Sequence, residues 1–147
     1  TIIRWPEVLA PGTVNESTYS NLDWFPTILA MAGLEVDAKT ILRGRNMLPS
    51  LQGEDVKWDD TYYAEYSTKH QSQTHMRMIS NGQWKLIRDF NNQGRDELYN
   101  LTNDPAESKN LIDSTDNKVR KIRRQLYQQL IRKMQSIQDN AYKQAGN

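Results

Sequence analysis

The chain has 147 residues, enough for one domain or one domain with an appended element, and 37% of them are hydrophobic. Its net charge of +1, from 19 basic and 18 acidic residues, gives no general attraction toward nucleic acid or an anionic membrane. The absence of cysteine excludes disulfides, cysteine-ligated zinc and cysteine nucleophiles, while four Trp, seven Tyr and two Phe argue against a disordered chain.

The first part of the chain predicts a strand, a helix and a loop. Thr1–Trp5 is apolar and typical of a strand, and a chain that opens within a strand is expected to be a fragment. Residues 17–33 predict a helix with its entry, in which Asp23 is the expected N-cap and Gly33 lies just past the end. Residues 44–53 indicate a loop with one short helical turn.

The middle of the chain predicts a small antiparallel sheet over residues 61–101. Two alternating segments, 75–79 and 84–88, flank a turn with an Asn-Gly centre, which is the pattern of a β-hairpin. Residues 97–101 indicate a further short strand. Tyrosines near residue 62 add a strand before the hairpin, because aromatic side chains favour strands.

The end of the chain predicts one long amphipathic helix over residues 115–143. Its apolar positions advance by three or four residues: Val119, Ile122, Leu126, Leu130, Met134, Ile137 and Ala141. The opposite face is rich in Lys and Arg, and we interpret it as a solvated face. A nucleic-acid or membrane helix is the weaker interpretation, because net charge is near zero and no nucleic-acid motif accompanies the run.

Candidate binding residues are concentrated in the segment from Lys69 to Arg77. His70 and His75 are poor metal ligands, because their spacing is not helical and no third ligand is near. Together with Arg77 they supply donors that suit an anion or the hydroxyl groups of a sugar. We therefore predict His70, His75 and Arg77 as substrate-binding residues, with an ordinary polar loop as the alternative.

Four sequence blocks in order resemble the C-terminal end of type I sulfatases, the formylglycine-dependent branch of the alkaline phosphatase superfamily. They are Ile3-Arg4-Trp5-Pro6 with Pro11-Gly12; Leu22-Asp23-Trp24-Phe25-Pro26-Thr27-Ile28-Leu29 with Ala32-Gly33; Gly44-Arg45-Asn46-Met47-Leu48-Pro49-Ser50-Leu51 with Gly53; and Met76-Arg77-Met78-Ile79, Trp84-Lys85-Leu86-Ile87, Glu97-Leu98-Tyr99-Asn100-Leu101 and Asp104-Pro105-Ala106-Glu107 with Asn110-Leu111. The blocks cover residues 1–111, and the final helix matches the family in position only.

The resemblance implies an α+β fold in two parts. Residues 1–55 would form the C-terminal edge of the large sulfatase α/β domain. Residues 56–147 would form the C-terminal subdomain, a small antiparallel sheet of about four strands packed against the long helix 115–143. The implied function is that of a fragment of a sulfatase, whose intact form hydrolyses sulfate esters, and whose loop 69–77 reaches the rim of the substrate pocket.

The family's catalytic residues are absent from this chain. The nucleophile is a formylglycine made in a Cys/Ser-x-Pro-x-Arg motif, and the residues two before each Pro are Arg4, Leu9, Trp24, Met47 and Asn103. We expect no catalytic residue, no metal ligand and no cofactor here, with Ca²⁺ and formylglycine in the intact parent. The fragment alone is expected to be inactive.

The expected partners are the missing N-terminal sulfatase domain and, in the parent, a sulfated carbohydrate, with neither nucleic acid nor membrane. Truncation would expose an apolar patch around Trp5, Trp24 and Phe25 and favour self-association. By family resemblance the parent is periplasmic, secreted or lysosomal. Two alternatives stay open, namely a non-catalytic interaction or structural module and the same end of a related phosphohydrolase.

Overall fold

The computed structural model describes residues 1–143 and divides the chain into two compact units. The first unit runs from Thr1 to Asp60, and the second begins at Thr61. The sequence placed this change near residue 55. The first unit contains only short helices, whereas the second contains the β-sheet and the longest helix.

Two short helices form the regular structure of the first unit. Helix α1 spans Trp24–Met31 and helix α2 spans Leu48–Leu51, as the predicted helix and helical turn require. The strand predicted at Thr1–Trp5 is wrong, because these residues are irregular. A strand needs a neighbouring strand to pair its backbone groups, and residues 1–60 contain no strand.

Asp23 occupies the N-cap position of α1, as predicted, but its side chain makes no capping hydrogen bond to that helix. Ser20 is the N-cap of a 3-10 turn at Asn21–Asp23 that leads into α1, and its hydroxyl accepts a hydrogen bond from the Leu22 N–H. The Asp23 carboxylate accepts from the Ser20 N–H at 2.7 Å and from the Arg45 N–H at 2.7 Å. Asp23 is thus a buried junction between α1 and the loop before α2, and the side chain that caps is Ser20.

The apolar surface of the first unit is incompletely covered. Phe25 and Ile28 are each 55% exposed, whereas Trp5 and Trp24 are half-buried. Of the three aromatic residues in the predicted patch, only Phe25 is therefore exposed. Self-association of the chain through this surface stays a prediction.

The second unit is built on a four-stranded antiparallel sheet in the order β1-β2-β3-β4. The strands are β1 (Tyr62–Lys69), β2 (Gln73–Ser80), β3 (Trp84–Asp89) and β4 (Glu97–Asn100). The predicted hairpin is confirmed as β2 and β3, and its turn places Gly82 at φ +81°, where glycine carries no steric penalty. The loop predicted over residues 69–77 is reduced to residues 70–72, because β1 and β2 pair up to Lys69 and Gln73.

Helix α3 (Asn117–Ser136) packs its apolar stripe on one face of the sheet. Asp116 caps it by accepting from the Val119 N–H at 3.0 Å. The shared core comprises Ile79, Leu86, Phe90, Leu98, Leu126, Leu130, Met134 and Ala141. Among the described residues, no helix combines the length and apolar character that crossing a membrane requires.

Helix α3 ends at Ser136, earlier than the predicted end at residue 143. Gln138 adopts a left-handed backbone with φ +60°, which an α-helix cannot continue through. The chain then enters a 3-10 turn at Ala141–Lys143, which brings the buried Ala141 onto the core by a different route from the predicted one.

Candidate functional site

The predicted binding segment lies at one end of the sheet, where β1 turns into β2. We call residues 69–75 the hairpin tip. Lys69 pairs with Gln73, and the His70 N–H donates to the Ser72 carbonyl at 3.1 Å, so the turn between the strands is tight. His70 is exposed in this turn.

Asp89, the last residue of β3, anchors the hairpin tip to the turn that follows β3. Its carboxylate accepts from the Thr74 hydroxyl at 2.6 Å, the His75 N–H at 3.1 Å and the Asn92 amide at 2.8 Å. The Asn92 amide also donates to the Gln73 carbonyl at 2.8 Å. Burial of Asp89 opposes ionisation, but these hydrogen bonds outweigh it and hold the pKa of the carboxyl well below its usual range. The tip is therefore a fixed platform.

His75, Ser67 and Arg77 form a chain of hydrogen bonds beside the hairpin tip. The His75 Nδ1 atom lies 3.1 Å from the Ser67 hydroxyl, to which the Arg77 Nη1 donates at 3.0 Å. The His75 Nε2 atom makes no hydrogen bond within residues 1–143. The imidazole is thus oriented at one nitrogen while the other can meet a ligand.

Arg77 is buried and ion-paired with Asp139, which follows α3. Its Nε and Nη2 atoms both donate to the Asp139 carboxylate, which also accepts from the Tyr63 hydroxyl at 2.8 Å. Burial, reinforced by the bond to Asp139, raises the pKa of Tyr63. Burial alone would lower the pKa of Arg77, but the hydrogen bond to Asp139 raises it overall. Arg77 therefore orients His75 through Ser67 from inside the fold.

Of the three predicted site residues, the structure brings His75 and Arg77 into one hydrogen-bond chain and leaves His70 in the turn nearby in sequence. A direct contact between these three side chains and a substrate stays a prediction. The site supplies donors for oxyanions and hydroxyl groups. Within residues 1–143, no cluster of three or more His, Asp or Glu residues could hold a metal ion.

Sequence reasoning missed Asp89 and Asp139, the two carboxylates that organise the site. Asp89 ends an alternating strand and precedes Asn91-Asn92, a pattern typical of an Asx turn that could have indicated its role. Asp139 gave no such signal, because the predicted helix ran through it and its partner Arg77 is distant in sequence.

Comparison with known proteins identifies relatives over nearly the whole chain. The family model for N-sulphoglucosamine sulphohydrolase, C-terminal, matches residues 1–136. The ulvan-active sulfatase of Formosa agariphila is 28% identical over an alignment of 147 residues that covers 80% of this chain and 29% of that protein. The N-acetylglucosamine-6-O-sulfatase of Bacteroides thetaiotaomicron is 28% identical over 145 residues, which cover 95% of this chain and 25% of that protein.

A solved structure shows the same fold. It is that of a protein in complex with its substrate D-glucosamine-2-N,6-O-disulfate, with a TM-score of 0.76 and 28% identity over 95% of this chain and 28% of that one. The chain thus spans between 25% and 29% of the length of the two curated relatives. The match over residues 1–136 shows that the chain belongs to the N-sulphoglucosamine sulphohydrolase C-terminal family and corresponds to the C-terminal portion of a sulfatase.

Proposed function

We propose that this chain completes an enzyme that hydrolyses sulfate esters of carbohydrates. The observation that carries the proposal is the family match over residues 1–136, supported by the similarity to sulfatases that are named for carbohydrate substrates. The nucleophile and the metal site belong to the N-terminal domain of the parent, which is the chain's first partner. The parent would act in the periplasm, in the lysosome or outside the cell.

The hairpin tip gives this chain a role in substrate selection. His70 and His75 offer imidazole groups at a sheet end that Asp89 fixes in place. Imidazole N–H groups donate to hydroxyl and sulfate oxygens, and a preorganised donor loses little entropy on binding. Arg77 acts behind them as a positioning residue, because its guanidinium is held by Asp139.

A chimera tests the proposal. The C-terminal portion of the Bacteroides thetaiotaomicron N-acetylglucosamine-6-O-sulfatase, which the chain matches over 95% of its own length, is replaced by residues 1–147. We expect the chimera to release sulfate from 6-O-sulfated N-acetylglucosamine, whereas the 147-residue chain alone and the relative without its C-terminal portion release none. A chimera that unfolds cooperatively yet shows no turnover would contradict the proposal, as would turnover by the chain alone.

The same chimera tests the hairpin tip. Replacing His70 and His75 by Ala should raise the KM at least about fivefold with a smaller change in kcat, since lost ground-state contacts raise KM. The matched control replaces the exposed Gln83 and Gln93 by Ala, which lie in the two other turns of the sheet, outside the hairpin tip. Equal kinetic effects from both pairs would remove the histidines from the site.

A further inference from the structure

The charged side chains of helix α3 are all positive, which its packing on the sheet does not explain. Its twenty residues contain seven cations and no Asp or Glu, in a chain whose overall charge is nearly balanced. The cations are Lys118, Arg120, Lys121, Arg123, Arg124, Arg132 and Lys133. A helix face that only needs solvation usually mixes both signs.

This arrangement opposes helix formation locally. Five of the seven cations lie in residues 118–124, in the N-terminal part of α3, where the helix dipole disfavours positive charge. Arg120 and Arg124 are four residues apart, a like-charge spacing that destabilises a helix by about 0.2–0.5 kcal/mol per pair. A local departure from the rules of folding is expected where a segment serves a function.

Three of these cations, Arg120, Arg123 and Arg124, line a groove of about 550 Å³ between α3 and the loops beside the sheet. Its lining includes Arg88, Arg120, Arg123, Arg124, Tyr127 and the acids Asp96 and Asp113. The guanidinium groups therefore outnumber the carboxylates four to two, and the groove is locally positive.

Two of these arginines are fixed and two are uncommitted. Arg123 donates to the Ile112 carbonyl, and Arg88 pairs with Asp96 at 2.5 Å. Arg120 and Arg124 make no ion pair and no side-chain hydrogen bond within the described chain, residues 1–143. The groove thus combines two arginines that are held in place with two guanidinium groups that are free to bind a ligand.

The spacing of the donors selects the ligand chemistry. Arg120, Arg123, Arg124 and Tyr127 follow at helical spacing and share one face over roughly 10 Å of the axis. Guanidinium groups bind planar or tetrahedral oxyanions through paired N–H donors. A ligand that engages both ends of this face therefore needs more than one anionic group.

We infer that this groove binds a sulfated glycan chain through Arg120 and Arg124. The choice of a glycan rests on the proposed function, whereas the requirement for several anionic groups rests on the groove alone. Single-stranded nucleic acid fits less well, because it needs aromatic faces for stacking. The groove offers Tyr127, whose ring already has the Arg88 guanidinium 4.8 Å from its centroid.

The experiment measures binding to the intact 147-residue chain by calorimetry. The probes are a heparin-derived hexasaccharide, the same hexasaccharide after complete desulfation, and a single-stranded DNA oligonucleotide of equal charge. The groove variant carries Arg120→Gln and Arg124→Gln. The control variant carries Arg132→Gln and Lys133→Gln, which remove the same charge from the same helix outside the groove.

We expect the sulfated hexasaccharide to bind at least about tenfold more weakly to the groove variant, with a change below about twofold in the control. The negative slope of log K against log salt concentration should become shallower by about two in the groove variant, since two ion contacts are lost. Far-UV circular dichroism spectra should be the same for both variants and the unsubstituted chain.

Three results would overturn the inference: equal losses in the two variants, equal affinity for the desulfated hexasaccharide, or DNA binding that is as tight and depends on the same arginines. Binding is scored without turnover. If the chimera is inactive but binding depends on Arg120 and Arg124, the proposed function is wrong and the groove inference stands. If the chimera is active but binding does not depend on these arginines, the proposed function stands and the groove inference is wrong.

Discussion

At the scale of single residues, several positions that resemble sulfatase motifs have structural roles in this chain. Asp23 joins α1 to the loop at Arg45, and the Thr27 hydroxyl accepts from the Met47 N–H at 2.9 Å. A Cβ added to Gly44 would lie 1.9 Å from the Leu22 carbonyl oxygen. The second and third sequence blocks are therefore two sides of one packed junction, which explains why they occur together.

Replacing Gly44 by Ala should disrupt this junction. The new methyl group collides with backbone atoms, which cannot rotate away, so we expect the first unit to lose about 3 kcal/mol or more of unfolding free energy. Denaturant titration followed by tryptophan fluorescence in a Trp84→Phe background measures this, because the other three tryptophans lie in residues 1–60.

The matched control for that variant is Gly53→Ala. Its Cβ would meet nothing within 4 Å, so only the left-handed backbone at φ +84° opposes the change, at about 1–2 kcal/mol. Equal losses in the two variants would show that steric crowding at Gly44 is not the cause.

Asp89 predicts a pH dependence of stability. Its pKa in the folded chain lies below the unfolded value of about 3.9, so its contribution is complete above that value and is lost as the pH falls toward the folded pKa. Asp89→Asn should lower the unfolding free energy by about 2 kcal/mol at pH 7, the scale of hydrogen bonds to a buried charge. Below about pH 3 the difference in unfolding free energy between this variant and the unsubstituted chain should shrink.

Urea titrations at a series of pH values test this expectation. Asp113→Asn is the control, because Asp113 is exposed and belongs to the same unit. A constant difference in unfolding free energy between Asp89→Asn and the unsubstituted chain from pH 7 to pH 2 would contradict the assigned role of the carboxylate charge.

At the scale of elements, the end of α3 is set by a contact from outside the helix. The backbone reverses at Gln138, and Asp139 then pairs with Arg77 from β2 and with the Tyr63 hydroxyl from β1. This contact ties the C-terminal turn to the sheet. A strand arginine that reaches the chain after the helix thus decides where the last element lies.

Removing both partners of this pair should cost less than the sum of the two single removals. Asp139→Asn or Arg77→Met alone should lower the unfolding free energy by about 3 kcal/mol, because each leaves a buried charged or polar group without its partner. The double variant should recover at least about 1 kcal/mol relative to the sum of the two single changes, since paired groups couple. Urea unfolding of the four chains measures the cycle, and additive losses would contradict a direct coupling.

The comparison between sequence and structure differs from element to element. The hairpin of β2 and β3, the strand β4 and the core stripe of α3 follow from local periodicity, so the sequence predicted them. The end of α3 did not follow, because an apolar position at Ala141 fits a continued helix and a returning turn equally well. At the candidate site the two histidines were identified by residue type. The partners that orient His75 depend on strand pairing and on a contact far along the chain.

At the scale of the whole molecule, the two units differ in how much apolar surface they bury. The second unit has a continuous core of eight buried residues between the sheet and α3. In the first unit Met47 is the single buried hydrophobic side chain apart from prolines, while Phe25 and Ile28 are 55% exposed. A chain of about 60 residues is marginal even with a good core, because it buries a small fraction of its surface.

This difference predicts that the units behave differently when produced separately. Residues 61–147 should show a cooperative thermal transition by circular dichroism, because their buried core lies within that segment. Residues 1–60 should unfold at a lower temperature and in a broader transition, since the burial that Met47 and Pro26 provide offsets little of the entropy lost in fixing about 60 residues. Leu130→Ala in residues 61–147 should lower stability by about 2–5 kcal/mol, because Leu130 is fully buried. A sharp transition in residues 1–60 alone would show that this segment holds a sufficient core of its own.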